Sequence, residues 1–198
     1  MAQKDRTRLD DAALLVIDIQ DSFKAGSRWA RRSNAAKFES NVTRLIEAFR
    51  AASRPVIFFL HSDSDDAFSV DSPHYRLMDF LKPRSGEPVL HKTTRNCFTS
   101  TSLLPILLQQ GVRRVVISGI QTEQCCETTA RVGADLGFDV DFVTEATMTF
   151  PIYERADGSG RELSTDEIVE RTEFALRRRF ARIVTVDGVA GEVSAVPA

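Results

Sequence analysis

Residues 12–18, AALLVID, form an unbroken apolar run closed by an acid. A strand that is apolar at every position has no face to offer water, so it must be covered on both sides. That requirement selects a parallel sheet, because crossover helices are what cover both faces. The pattern recurs at residues 56–60, VIFFL, and 115–117, VVI. Shorter strands are predicted at 89–91, 138–143 and 183–186. Helical spacing fills the gaps. Residues 34–52 place Phe38, Val42, Leu45, Ile46 and Phe49 on one face, and residues 100–110 do the same with Leu103, Leu104, Leu107 and Leu108. Residues 165–180 read as a helix capped by Ser164 or Thr165, with Arg177, Arg178 and Arg179 at its C-terminal end. A short helix is expected at 74–81, a long loop at 147–160, and a loosely held tail at 192–198. No repeat or linker divides the chain. The expectation is one domain over residues 1–198 with its core at about 12–189: a three-layer α/β/α fold around a parallel sheet of about six strands.

Composition narrows the function. The chain has 198 residues, a net charge of −2 and 42% hydrophobic residues. Such a charge gives no reason to expect nucleic acid or an anionic membrane as partner. No apolar run approaches a membrane span, and the polar N-terminus carries no signal-peptide core. Three cysteines, two of them adjacent, make no disulfide framework, so a reducing cytoplasm fits best. There is no CxxC or HExxH pattern for zinc. Residues 61–66, HSDSDD, invite a metal hypothesis, but a solvated acidic loop accounts for them better.

Reactive residues stand where the strands end. Asp18 closes the first strand and Lys92 follows the third. Cys125 lies just beyond the fourth, in VVISGIQTEQCCETTA. There Gly119 is expected to break the strand and Thr122 to cap a helix beginning at Glu123. Cys125 and Cys126 would fall in its first turn, where free N–H groups and the helix dipole lower a thiol pKa. The plainer account makes both cysteines small buried hydrophobes. Ends of parallel strands project from one sheet edge, the edge at which open α/β sheets bind ligands. A carboxylate, an ammonium and a thiol meeting there can perform nucleophilic chemistry, with Lys lowering the thiol pKa and Asp moving its proton. Residues 20–33 form a polar loop with Phe23 and Trp29, candidate substrate contacts. Its arginines, Arg28, Arg31 and Arg32, read as a solvated basic face.

Three blocks carry a resemblance: LLVIDIQDSF, HKTTRNCFTSTSL and SGIQTEQCCETTARVGADLGFDV. Together, in this order and over residues 13–189, the chain resembles the isochorismatase-like cysteine hydrolases, which include nicotinamidases and N-carbamoylsarcosine amidohydrolases. The resemblance implies a Rossmann-like fold with Asp18 as general acid and base, Lys92 as thiolate stabiliser and Cys125 as nucleophile. It implies a cis Ile120–Gln121 peptide, with the backbone N–H groups of Gln121 and Cys125 as an oxyanion hole. It also implies a homo-oligomer, a dimer or tetramer. The nicotinamidase pattern Asp-x-His-x-x-x-His is absent after the second strand, so no metal or other cofactor is expected and nicotinamide is a poorer candidate. The thiol favours C–N hydrolysis of a small amide or ureide over isochorismatase-type vinyl ether cleavage. A non-catalytic or redox-responsive thiol scaffold of the same fold is the alternative. A nucleophile would alkylate well below pH 8 and be protected by small amides, whereas a scaffold thiol would show neither property.

Overall fold

The computed structural model describes residues 9–64 and 67–194. In chain order these form β1 (Ala12–Ile17), α1 (Phe38–Ala51), β2 (Val56–His61), β3 (Val89–Lys92), α2 (Leu103–Gln109), β4 (Arg114–Ile120), α3 (Glu127–Asp135), β5 (Asp139–Met148), β6 (Ile152–Tyr153), β7 (Glu162–Leu163), α4 (Thr165–Leu176), β8 (Arg182–Ile183) and α5 (Val186–Ser194). Six strands make one sheet in the order β3-β2-β1-β4-β5-β8. Every pairing in it is parallel. The small β6–β7 hairpin stands apart.

Successive residues of a strand point to opposite faces, and here both faces are apolar. Leu14 and Val16 of β1, with Val116 of β4, join a cluster closed by α1 and by Val186, Val189 and Val193 of α5. Ala13, Leu15 and Ile17, with Val115 and Ile117, join a second cluster closed by Leu103 and Leu107 of α2, Ala130 of α3 and Leu176 of α4. Each fully buried Leu, Val or Ile contributes about 1.5–3 kcal/mol relative to exposure. The unbroken run at residues 12–17 is thus the physical record of a strand sandwiched between two helical layers.

Several local expectations are corrected. Gly119 does not break β4. It lies inside the strand opposite Ile17 at φ +136, and a Cβ there would sit 2.1 Å from the Ile17 carbonyl oxygen. The glycine is required because the two central backbones approach closely at that point. Residues 74–81 form no helix; Met78 N–H donates to the Ile19 carbonyl at 3.0 Å and Leu77 bridges Gln20. β5 runs to Met148, and the expected 147–160 loop contains half of the β6–β7 hairpin. α4 ends at Leu176, one residue before the arginines, after starting on a full capping box between Ser164 and Glu167. The tail is not loose through Ser194, since α5 includes it and Val193 is fully buried. Residues 195–198 lie outside the described set.

Candidate active site

The strand order reverses between β1 and β4, and the crevice beyond their carboxyl ends is where such sheets bind ligands. Asp18 leaves β1 in the left-handed region, φ 52, which Asp tolerates better than most residues. Lys92 is the last residue of β3, in register with His61 at the end of β2. Cys125 lies in a wide π-type turn, Thr122–Cys126, that joins β4 to α3. Thr122 does not cap a helix with its hydroxyl, which donates instead to the Thr147 hydroxyl at 2.9 Å. The Ile120–Gln121 peptide is cis.

The three side chains converge. Lys92 Nζ lies 2.8 Å from Asp18 Oδ2 and 3.4 Å from Cys125 Sγ. It also donates to the carbonyls of Thr94 and Arg95 at 3.1 and 3.3 Å. Asp18 and Lys92 are both completely buried. A buried pair of this kind costs several kcal/mol per ion in desolvation, about what its Coulomb attraction returns. Fold stability alone does not explain it.

The thiol departs from the sequence expectation. Its pKa is raised, not lowered: burial pushes it up, the Asp18 carboxylate adds to that, and the Lys92 ammonium opposes both. The ammonium itself is held charged. Burial favours its neutral form, but the Asp18 carboxylate beside it keeps the ammonium charged. The resting site therefore contains a neutral thiol beside a carboxylate–ammonium pair. Burial also pushes the Cys97 thiol up to about 12 and raises that of Cys126.

Cys125 lines a cavity of about 180 Å³ with Phe23, Arg28, His61, Asp63, Phe68, Arg95, Gln121 and Gln124. Phe23 is where the sequence places it. Trp29 does not line this cavity; its ring lies 6.3 Å from that of Phe150. Sequence reasoning missed His61 and Arg95 as a unit. Lys92 Nζ faces His61 Nδ1 at 3.2 Å, Arg95 contacts Nε2, and Arg95 Nη2 donates to Asp63 at 3.0 Å. Burial first, and Lys92 second, lower the His61 pKa, so its ring is neutral at pH 7. Two cations against its two nitrogens oppose a metal ion there. Asp65 and Asp66 of the acidic run lie outside the described residues. Gln20 fixes the arrangement: its amide oxygen accepts from His61 N–H at 2.8 Å and its nitrogen donates to the His61 carbonyl at 3.0 Å. The Asp-x-Gln of the first block was the available signal for that clamp. A larger groove of about 810 Å³ runs past Phe138, Arg178 and Arg182. None of the three converging side chains lines it, so the smaller cavity is the candidate site.

The isochorismatase domain family model matches residues 12–185. The chain is 30% identical to the isochorismatase family protein YrdC of Bacillus subtilis over 178 residues, covering 88% of this chain and 92% of that one. It is 30% identical to nicotinamidase 3 of Arabidopsis thaliana, covering 89% and 85%. A crystal structure of an isochorismatase-family protein from Chromobacterium violaceum superposes with a TM-score of 0.85 at 25% identity, covering 94% and 95%.

Proposed function

The chain belongs to the isochorismatase family of hydrolases, and from that premise we propose that it is a cysteine-dependent hydrolase of a small amide or ureide, working in one domain without a metal or other cofactor. The carrying observation is a single one. The Cys125 sulfur lines a cavity and lies 3.4 Å from an ammonium that is 2.8 Å from a buried carboxylate. In this reading Asp18 takes the thiol proton as Cys125 attacks the carbonyl carbon. The backbone N–H groups of Gln121 and Cys125, both at the cavity wall, receive the oxyanion. Collapse breaks the C–N bond, and Asp18 returns the proton to the leaving nitrogen. Water then attacks the thioester, giving its proton to Asp18, and the acid leaves as the thiol re-forms.

The raised thiol pKa fits this sequence better than a preformed thiolate does. Proton transfer and attack occur together, so charge is created only while Lys92 is there to balance it. Nicotinamidase 3, an amide hydrolase by its name, supports C–N cleavage in general and leaves the substrate open. The test is ammonia release across a panel of small amides and ureides. At least one should be turned over well above the rate with Cys125 alkylated, and a flat panel would sink the reading.

We also propose that the protein acts on its small-molecule substrate in the reducing cytoplasm, where its three free cysteines would stay reduced, and that it is a homo-oligomer. Phe174 on α4 is 73% exposed, between the acidic Glu170 and Glu173 and the basic run beginning at Arg177. Two such helices related by a twofold axis perpendicular to them run antiparallel and set acid against base. Light scattering should give at least twice the 22.1 kDa chain mass, and Phe174→Glu should lower it. A wild-type value of one chain at micromolar concentration would refute the oligomer.

A further inference from the structure

The turn that carries Cys125 is held from outside. A π-type turn such as Thr122–Cys126 is rare, because its backbone alone does not favour it. Here it closes on one carbonyl: that of Gln121 accepts from the N–H groups of Gln124 and Cys126, both at 3.2 Å. Its first two side chains reach across to the end of β5. Thr122 donates to the Thr147 hydroxyl at 2.9 Å, and the Thr147 proton goes on to the Thr144 carbonyl at 3.0 Å. Glu123 meets the Thr149 hydroxyl at 2.5 Å. Alternate residues of an extended chain share one face, so the two contacts act as a pair of pins. Thr149 also anchors the loop that carries Phe23. Its N–H donates to the Ser33 hydroxyl and its carbonyl accepts from the Ser33 N–H, both at 2.9 Å.

The Thr122 pin is neutral, whereas the Glu123 pin is a carboxyl group taken largely out of water. Burial favours its uncharged form and raises its pKa, and the charge of Glu127 adds to this; the Thr149 hydroxyl and the Gln124 amide oppose the rise without prevailing. Glu127 is itself countered by Arg131 at 2.8 Å and, from α4, by Arg171 at 2.5 Å. On the loop side, Arg28 stacks over Phe150, the neighbour of Thr149, at 4.9 Å. A carboxyl that keeps its proton donates it to Thr149, as an amide would. One that loses its proton places a negative charge in the turn. That charge raises the thiol pKa of nearby Cys126, in a turn where attack by Cys125 itself builds negative charge.

We propose that Glu123 is a positioning residue that works in its protonated form: its O–H donates to Thr149 and holds the turn so that the Gln121 and Cys125 N–H groups converge, with no charge of its own beside the reacting sulfur. The reaction so served rests on the hydrolase reading above; the proton on Glu123 does not. Glu123→Gln is the uncharged mimic, since its amide donates to Thr149 at every pH. The folded protein binds the Glu123 proton more tightly than the unfolded chain does, so the stability it adds is present at low pH and lost as pH rises through the folded pKa. The Tm of Glu123→Gln less that of the wild type should therefore climb with pH. Its kcat for the best amide of the panel should match the wild type within about twofold at the acid end of the range and exceed it at the alkaline end, with KM unchanged. Glu123→Ala should lose at least about tenfold in kcat, the scale of one buried hydrogen bond, and Thr149→Val, which removes the other partner, should lose as much. The comparison of wild type with Glu123→Gln decides the matter even if those two variants fail to fold. If no amide is hydrolysed the hydrolase reading falls, and iodoacetamide becomes the probe: Cys125 should then alkylate at lower pH in Glu123→Gln than in the wild type. A Tm difference that stays flat with pH overturns the proposal. So does a Gln variant as slow as the Ala variant, an Ala variant as fast as the wild type, or a Gln variant that reacts like the wild type at every pH.

Discussion

Cys125→Ala is expected to lower ammonia release by at least about ten-thousand-fold, the scale seen when a covalent nucleophile is removed and only binding remains. Cys126→Ala should retain most of the activity. The two thiols share one apolar cluster but differ in what else they reach. Cys125 also lines the cavity beside Lys92, whereas Cys126 is fully buried and does not line it. Truncating Cys126 removes one buried sulfur and should cost about 1 kcal/mol of stability, read as a small drop in Tm. Steady-state ammonia assays with thermal melts on both variants decide the matter. A dead Cys126→Ala beside an active Cys125→Ala would reverse the assignment.

Lys92→Met should cost at least about 100-fold in rate, in line with losing one strong electrostatic contact in a buried site. The direction of the accompanying pH change follows from the charges. Burial and Asp18 raise the Cys125 pKa and Lys92 lowers it, so removing Lys92 moves the pH of alkylation upward. The variant also leaves Asp18 buried without its cation, at a cost of about 3–5 kcal/mol in stability. Circular dichroism must therefore accompany the assay. Lys92→Arg keeps the charge, and if the methionine variant fails to fold, the arginine variant should recover the fold. Lys82→Met, on an exposed loop, should change neither rate nor alkylation. If Lys92→Met folds, hydrolyses and alkylates like the wild type, Lys92 has no place in the chemistry.

What could be read in advance divides along physical lines. Strands buried on both faces announce themselves through continuous apolar runs, so the β1, β2 and β4 segments and the parallel sheet were legible. That Asp18, Lys92 and Cys125 would meet at one sheet edge was legible because Asp18 and Lys92 stand at strand ends and Cys125 lies in the turn that follows one. The thiol pKa was not. The helix dipole and a nearby lysine are local features, but the burial that overrides them is set by the whole fold. His61, Arg95 and Asp63 come from two separate loops and strand ends, and nothing in HSDSDD or KTTRN states that they will touch. The role of Gly119 was misread because a glycine within a strand and a glycine ending one look alike until the opposing backbone is in place. Helix α5 was missed because its two glycines, Gly188 and Gly191, argue locally against a helix that packing against α1 sustains.

The pairing of β1 with β4 bears on how the chain is made. Ala12 lies opposite Arg114, so the first strand to leave a ribosome lacks one of its two neighbours until about a hundred residues later. At the usual pace of synthesis that interval is on the order of 5–20 seconds. Throughout it, one edge of the most apolar strand in the molecule is open to any passing chain. Contacts so distant in sequence also close slowly once synthesis ends. The segment AALLVI is thus where a nascent chain of this protein most needs a chaperone, and where aggregation would start if β4 were delayed or mutated.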